Sequence, residues 1–364
     1  MKVPFVDLKP QYQAIKSEID LAISGVLENT SFIGGPIVKD FEDNFSNYLG
    51  LQNCIGCGNG TDALEIVLQA MGIGVGDEVI VPAMSWIATS ETVSSLAATP
   101  VFADVLPEKF TIDPVDVKRK ITAKTKAIIP VHLYGKAAEM DQLFELACEH
   151  NLKLIEDSAQ AIGAQFNGRN IATFGDAATF SFYPGKNLGA YGDAGCIVTN
   201  NDELAGKCRV IANHGQTSKH NHVMEGRNSR LDTLQAAILD VKLKHIETWT
   251  EKRINIAKQY NELLADLPIG IPPFDENHRH VYHVYVINVE NRDEVKAKLA
   301  EVGISTQIHY PKALTSLDPY SETNKEANFP IATKLANTGL SLPMYPELER
   351  EQIAYVVEQL RRII

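Results

Sequence analysis

Residues 180–195, FSFYPGKNLGAYGDAG, contain one lysine, Lys186, among glycines and aromatics. A solvated lysine is protonated and a poor nucleophile, whereas one desolvated in a pocket reacts with carbonyl carbons. Ser181 stands five residues earlier, at the end of the apolar run AATFSF, and the glycines let backbone close tightly around both residues.

Two further constellations fall at the same kind of position. In GCGNGTDAL, residues 56–64, glycines at alternate positions lead from a strand into a helix beginning near Gly60, Thr61 and Asp62. Free amides and the positive end of the helix dipole there suit a phosphate, with a plain strand-to-helix turn as the alternative. The spacing is G-x-G-x-G, and no acidic residue ends a second strand about twenty residues on, so a dinucleotide fingerprint is poorly matched. In LKLIEDSAQAIGA, residues 152–164, an apolar run ends at Glu156 and Asp157, with Gln160 one helical turn on. A carboxylate at a strand end caps a helix or holds a protonated ring nitrogen. A lysine, a phosphate cup and a carboxylate for a pyridinium nitrogen are together the parts needed to hold pyridoxal 5′-phosphate, PLP.

The elements that must position these residues are legible. Strand-like runs NCIGC, DEVIVP, TPVFAD, KAIIPVH, LKLIED, AATFSF and GCIVT alternate with amphipathic stretches such as TDALEIVLQAMG, SWIATSETVSSLAA and EMDQLFELACEHN. Such alternation predicts an α/β fold with a mainly parallel seven-stranded sheet, whose ligands bind beyond the strands' carboxyl ends. A long helical stretch over residues 231–267 opens a second region. After LPIGIPPFDENHRH come a strand in VYHVYVINV, a helix in RDEVKAKLAEVG, a strand near STQIHY and a last helix in ELEREQIAYVVEQLRRI. These form a small α+β domain.

The 364 residues, 45% hydrophobic and 22% charged, allow a large domain and a smaller one. A net charge of −12, with both signs interspersed, lacks the basic face that nucleic-acid binding needs. No run approaches a membrane span and the first residues lack a signal-type apolar core, so a cytoplasmic protein is expected. The odd set Cys54, Cys57, Cys148, Cys196 and Cys208 reads as reduced thiols. The clusters His214, His220, His222 and His278, His280, His283 come without cysteines or carboxylates at ligand spacing, so no metal is expected.

The motifs PFVDLKPQY, GNGTDAL, VHLYG, EDSAQAIGA, FSFYPGKNLGAYGDAG, RNSRLDTLQAAIL and IHYP follow one another over nearly the whole chain. In this order they resemble the DegT/DnrJ/EryC1/StrS sugar aminotransferases, PLP enzymes of the aspartate-aminotransferase (type I) fold. The resemblance implies a large PLP-binding domain with an N-terminal arm over residues 1–250 and a small domain over 251–364. It gives Lys186 the cofactor and the proton transfer, Asp157 the pyridinium nitrogen, Gln160 the ring hydroxyl, and Trp86 the ring face. Phosphate would be held at Gly60, Thr61, Asp62 and Ser181, and by Asn228 of the partner subunit, which implies a homodimer with shared sites. His132, Tyr134, Tyr183, His309 and Tyr310 would line a sugar-nucleotide pocket. The family pattern continues with proline, leucine and histidine where this chain has HYPKALTSLDPY, so Lys312 either joins the substrate surface or is solvated.

The reaction implied moves an amino group from L-glutamate to a keto carbon, C3 favoured, of a dTDP- or UDP-linked sugar. The product would be an amino sugar for a surface polysaccharide or glycoconjugate. A 4-keto substrate is the near alternative. Relatives that dehydrate sugars with pyridoxamine phosphate typically carry histidine at the lysine position, against Lys186 here. A non-catalytic PLP-binding regulator and an NAD enzyme resting on GCGNG are the other classes.

Overall fold

A computed structural model describes residues 1–275 and 277–364. All seven expected strands form and share one sheet: β1 (Asn53–Cys57), β2 (Glu78–Pro82), β3 (Thr99–Ala103), β4 (Thr125–Ile128), β5 (Lys153–Asp157), β6 (Ala177–Ser181) and β7 (Gly195–Thr199). Their spatial order is β1-β7-β6-β5-β4-β2-β3. Only β7 runs against its neighbours β1 and β6; the remaining pairs are parallel.

Both faces of the sheet are covered, as strands without polar alternation require. Side chains alternate between two cores with the strand period of two. Ile80, Ile128, Leu154, Ala178 and Phe180 enter one core. Val79, Val81, Ala127, Ile155, Ala177 and Ile197 enter the other. On the first side, helices α1 (Lys16–Glu28) and α2 (Pro36–Leu49) add Ile19, Phe41 and Phe45, with Phe45 edge-on to Phe180 and Phe182. On the second lies α3 (Gly60–Ala70), through Leu64 and Val67. Helix α4 (Ala88–Ser95) follows β2, and α5 (Met140–His150) precedes β5.

The stretch 231–267 is two helices, not one. α6 (Thr233–Leu243) stops at Lys244 and His245, and α7 (Ile246–Leu264) starts afresh. The apolar pattern continues across the break, so periodicity alone could not reveal it. α7 begins in the large core with Ile246 and Trp249 and ends in a third core with Ile256, Tyr260 and Leu264. The division at residue 250 thus falls inside a helix that both cores share. That third core also holds Val3, whose backbone bridges to Ile304, so the first residues of the chain pack with the last hundred.

The smaller part carries β8 (Tyr285–Asn288), α8 (Arg292–Glu301) and α9 (Arg350–Ile363), as expected. Its second strand is β9 (Gly339–Leu342), antiparallel to β8. The expected strand near STQIHY is corrected: Gln307 makes one isolated bridge to Ser341 and no ladder follows. The segment meets the outer edge of β9 at this one residue, Gln307 and Ser341 exchanging both backbone bonds. No described helix is long and apolar enough to cross a membrane.

Candidate active site

The site is built at the carboxyl end of the sheet. At the end of β1, Asn59 caps α3: its side-chain oxygen accepts the Asp62 amide at 2.8 Å, and its carbonyl accepts that of Ala63. The amides of Gly60 and Thr61, at the positive end of the helix dipole, have no partner among the described residues. Gly60 is required here, because a Cβ would stand 2.8 Å from the Ser181 Cβ. That contact also brings the Ser181 hydroxyl to the same cup.

Asp62 plays another part than expected. Its amide is taken by Asn59, and its Oδ2 accepts the Ser229 hydroxyl at 2.6 Å. Ser229 Oγ in turn accepts the Gly58 amide at 3.0 Å. A free carboxylate would repel a phosphate dianion; held by Ser229, it instead locks the turn that presents the two open amides. Asn228, beside Ser229, is exposed, and its backbone bridges to Asn213.

Asp157 ends β5 and Glu156 precedes it, so the two carboxylates point to opposite faces. Glu156 is buried and accepts the amides of Ala172, Phe174 and Gly175. Asp157 accepts the Thr89 hydroxyl at 2.9 Å and the Ala159 amide at 3.2 Å, and Thr89 is bonded at 2.8 Å to Ser85. Burial raises its pKa, while these donors and the Lys186 charge oppose the rise. No cation pairs directly with it among the described residues. It is therefore a desolvated carboxylate with room for a positive partner.

Lys186 hangs in the turn after β6, its amide donating to the Tyr183 carbonyl at 2.8 Å. Its amine has no hydrogen-bond or ion-pair partner among the described residues. Burial lowers its pKa to about 8 although Asp157 pulls the other way, so a useful neutral fraction exists near pH 7. Two histidines from the smaller part close on it. His309 is pushed down to about 4 by burial and by the Lys186 charge, and its Nδ1 lies 2.8 Å from the Ser341 hydroxyl. His283 lies well below the ordinary histidine range for the same reasons, with Nδ1 3.2 Å from the Asn187 side-chain oxygen. Both rings are neutral around neutral pH.

Gln160 joins the site to these loops. Its Oε1 accepts the Tyr134 amide at 2.7 Å and its Nε2 donates to the Tyr310 hydroxyl at 3.0 Å, leaving one N–H open. The Tyr310 ring lies 5.5 Å from that of Trp86, which follows β2 and is 58% exposed. Tyr183 is likewise open, at 59%.

Two expected pocket residues are corrected. His132 has 0% exposure and lines nothing: its Nδ1 accepts the Ala138 amide and its Nε2 donates to Glu156 at 2.9 Å. Tyr134 is buried against Phe110 and its hydroxyl donates to the His309 carbonyl, so it supports the pocket from behind. Lys312 is exposed and pairs with no carboxylate among the described residues. Of the histidine clusters, His278 pairs with Asp275, His280 stacks on Tyr282, and His222 meets the His214 carbonyl. Sequence reading missed Thr89, Asn187 and His283. Thr89 meets Asp157 across 68 residues of chain, and no local pattern announces such a contact.

The sequence pattern of the DegT/DnrJ/EryC1/StrS aminotransferase family matches residues 13–361. This chain belongs to that family. The family member is 48% identical to the "pleiotropic regulatory protein" of Geobacillus stearothermophilus, over 99% of this chain and 98% of the other. It is 42% identical to a dTDP-3-amino-3,4,6-trideoxy-alpha-D-glucose transaminase of Streptomyces venezuelae, over 99% and 96%. It is equally 42% identical to a UDP-2-acetamido-2-deoxy-3-oxo-D-glucuronate aminotransferase of Pseudomonas aeruginosa, over 97% and 98%. Among solved structures, S. venezuelae DesV in complex with a ketimine intermediate superposes with a TM-score of 0.97 at 42% identity, covering 99% and 98% of the chains. NtdA of Bacillus subtilis with bound cofactor PMP gives 0.94 at 35% identity, over 100% and 85%. The aminotransferase fold and its PLP/PMP cofactor are thereby those of this chain.

Proposed function

We propose that this aminotransferase moves the amino group of L-glutamate to the C3 keto carbon of a dTDP- or UDP-linked sugar, as a homodimer in the cytoplasm. The amino sugar would go on to a surface polysaccharide or glycoconjugate. The observation that carries the reading is the convergence of an unpartnered amine on Lys186, a buried carboxylate on Asp157 and open amides at Gly60 and Thr61. Each is a buried or directed polar group short of a partner, and PLP offers the three complements: an aldehyde carbon, a protonated ring nitrogen and a phosphate. When bound, PLP supplies an electron sink for the negative charge that forms on the amino-acid Cα.

The chain's own residues do the rest. Asp157 keeps the ring nitrogen protonated, with Thr89 and the Ala159 amide fixing its two oxygens. Gly60, Thr61, Ser181 and Asn228 of the partner subunit hold the phosphate, and Trp86 covers the ring. Lys186 Nζ takes the Cα proton of glutamate and, in the second half-reaction, returns a proton to the sugar carbon that has gained nitrogen. Its lowered pKa suits a group that must accept and release that proton near neutrality. Tyr183, Tyr310, His309 and Lys312 face the substrate side. The five unbridged cysteines suit a reducing compartment.

C3 is favoured over C4 because both transaminase relatives above carry a 3-amino or 3-oxo sugar in their names. A dehydratase reading would need a residue other than lysine at position 186. The test incubates the purified protein with L-glutamate and each of the dTDP- and UDP-linked 3-keto and 4-keto hexoses, reading product mass and the aminated carbon by NMR. A 3-amino product supports the proposal. A 4-amino product, or dehydration without nitrogen transfer, overturns it.

A further inference from the structure

The loop that carries Lys186 is closed on itself. The Ala190 amide donates to the Phe182 carbonyl at 2.8 Å, and Gly189 doubles back so tightly on the Pro184 carbonyl that no Cβ fits. Neither internal bond refers to anything outside it; its near end is tied to the phosphate cup by the Tyr183 amide on Ser181 Oγ at 3.3 Å, and its far end, toward Tyr191, is placed by contacts with other elements. Among the contacts that reach the loop from other elements, besides that of His283 with Asn187, are three bonds. Asn187 Nδ2 donates to the Val281 carbonyl at 3.1 Å. Two come from α6: Gln235 Oε1 accepts the Tyr191 amide at 2.8 Å, and Lys242 Nζ donates to the Gly189 carbonyl at 2.6 Å. Gln235 and Lys242 are seven residues apart, two turns on one face of the helix.

Lys242 is the unusual member. It is 1% exposed, and no carboxylate lies within ion-pair distance among the described residues. Its ammonium sits 4.4 Å from the centre of the Tyr191 ring and spends a bond on one carbonyl. A buried, unpaired cation is costly, and an apolar residue would fill a core position at less expense. The segment that bears it is already tied to the phosphate cup, through Ser229 to Asp62 and Gly58, four residues before α6 begins.

We infer that Lys242 is a positioning residue for the transamination proposed above: its bond to the Gly189 carbonyl, with Gln235 on Tyr191, registers the Lys186 loop against the phosphate cup. α6 thus serves as a ruler between the two ends of the cofactor site. Lys242 touches neither cofactor nor substrate; it acts by fixing where the Lys186 amine stands.

The test uses the full chain with Lys242→Met, Lys242→Arg and Gln235→Ala. Amide hydrogen exchange is followed in the cofactor-free protein, and kcat and KM for glutamate in the PLP-loaded enzyme. With Lys242→Met, exchange within residues 182–191 should rise by about tenfold or more while the sheet strands stay protected. The kcat should fall about ten- to a hundredfold with KM for glutamate changed less than about twofold, since misplacement of a reacting group acts on the rate. Lys242→Arg should recover part of both effects. Unchanged loop exchange and kcat in Lys242→Met overturn the inference, and so does a rise in exchange spread evenly over the chain. Should Lys242→Met fail to fold, Gln235→Ala and Lys242→Arg decide: loop exchange at the wild-type level in both rejects it. The exchange measurement needs no substrate, so a wild-type protein inert toward glutamate would sink the transaminase reading while the registration of the loop by Lys242 is still decided by exchange.

Discussion

Lys186 is costly to charge where it stands. Its folded pKa of about 8 lies below the ordinary lysine value, so the stability it contributes is present above pH 10.5 and lost as pH falls through about 8. Cofactor-free Lys186→Met should therefore melt higher than wild type at pH 7, with the gap closing toward pH 11. Thermal unfolding at a series of pH values checks this, and a gap that widens with pH contradicts it. At this scale the sequence was informative where chemistry follows a strand end: Lys186, Asp157 and Ser181 all stand just after or at the last residue of β5 or β6. It misled where a reactive residue type is used for structure. His132 looked like a pocket residue, yet Glu156 across the strand and the Ala138 amide consume both nitrogens. Residue type alone cannot say on which side of a strand a ring will lie or what fills its valences.

The N-terminus of α3 is the element most exposed to a small change. Gly60→Ala places a methyl 2.8 Å from the Ser181 Cβ and 3.3 Å from its Cα, pushing apart the two walls of the phosphate cup. Affinity for PLP should drop by about tenfold or more, read by cofactor titration, because charge-assisted bonds to an anion depend steeply on distance. Unchanged affinity would show that phosphate is held elsewhere. The seven strands were readable since EVIVP, KAII and KLIED are bounded, doubly buried runs whose length and β-branching leave one interpretation. GLSL was not, being four residues of which one is glycine and one serine, made a strand only by pairing with β8. The break between α6 and α7 escaped for the converse reason: the apolar pattern runs on across Lys244 and His245, where one helix ends and the next begins.

For the whole molecule, the proposed sharing of sites has an arithmetic consequence. Lys186→Ala and Asn228→Asp are each expected to cripple both sites of their own homodimer. If Asn228 serves the partner's phosphate, a hybrid dimer keeps one intact site, and random reassortment of the two inactive proteins should restore roughly a quarter of wild-type activity. No restoration would place Asn228 with its own chain's Lys186. The third core makes a related point. Val3 and α7 both enter it, so the small part is held by the chain's beginning and by a helix begun in the large part. The boundary at residue 250 that the resemblance implies falls where packing continues, inside α7.

The most direct measurement needs only the PLP-loaded protein and L-glutamate, with no keto sugar. The visible absorbance should bleach and about one equivalent of 2-oxoglutarate per chain should appear, then stop, because the nitrogen stays on the enzyme until an acceptor arrives. Lys186→Ala should do neither at a comparable rate. A band that persists in glutamate, or Lys186→Ala releasing 2-oxoglutarate as fast as wild type, contradicts the assignment of this site.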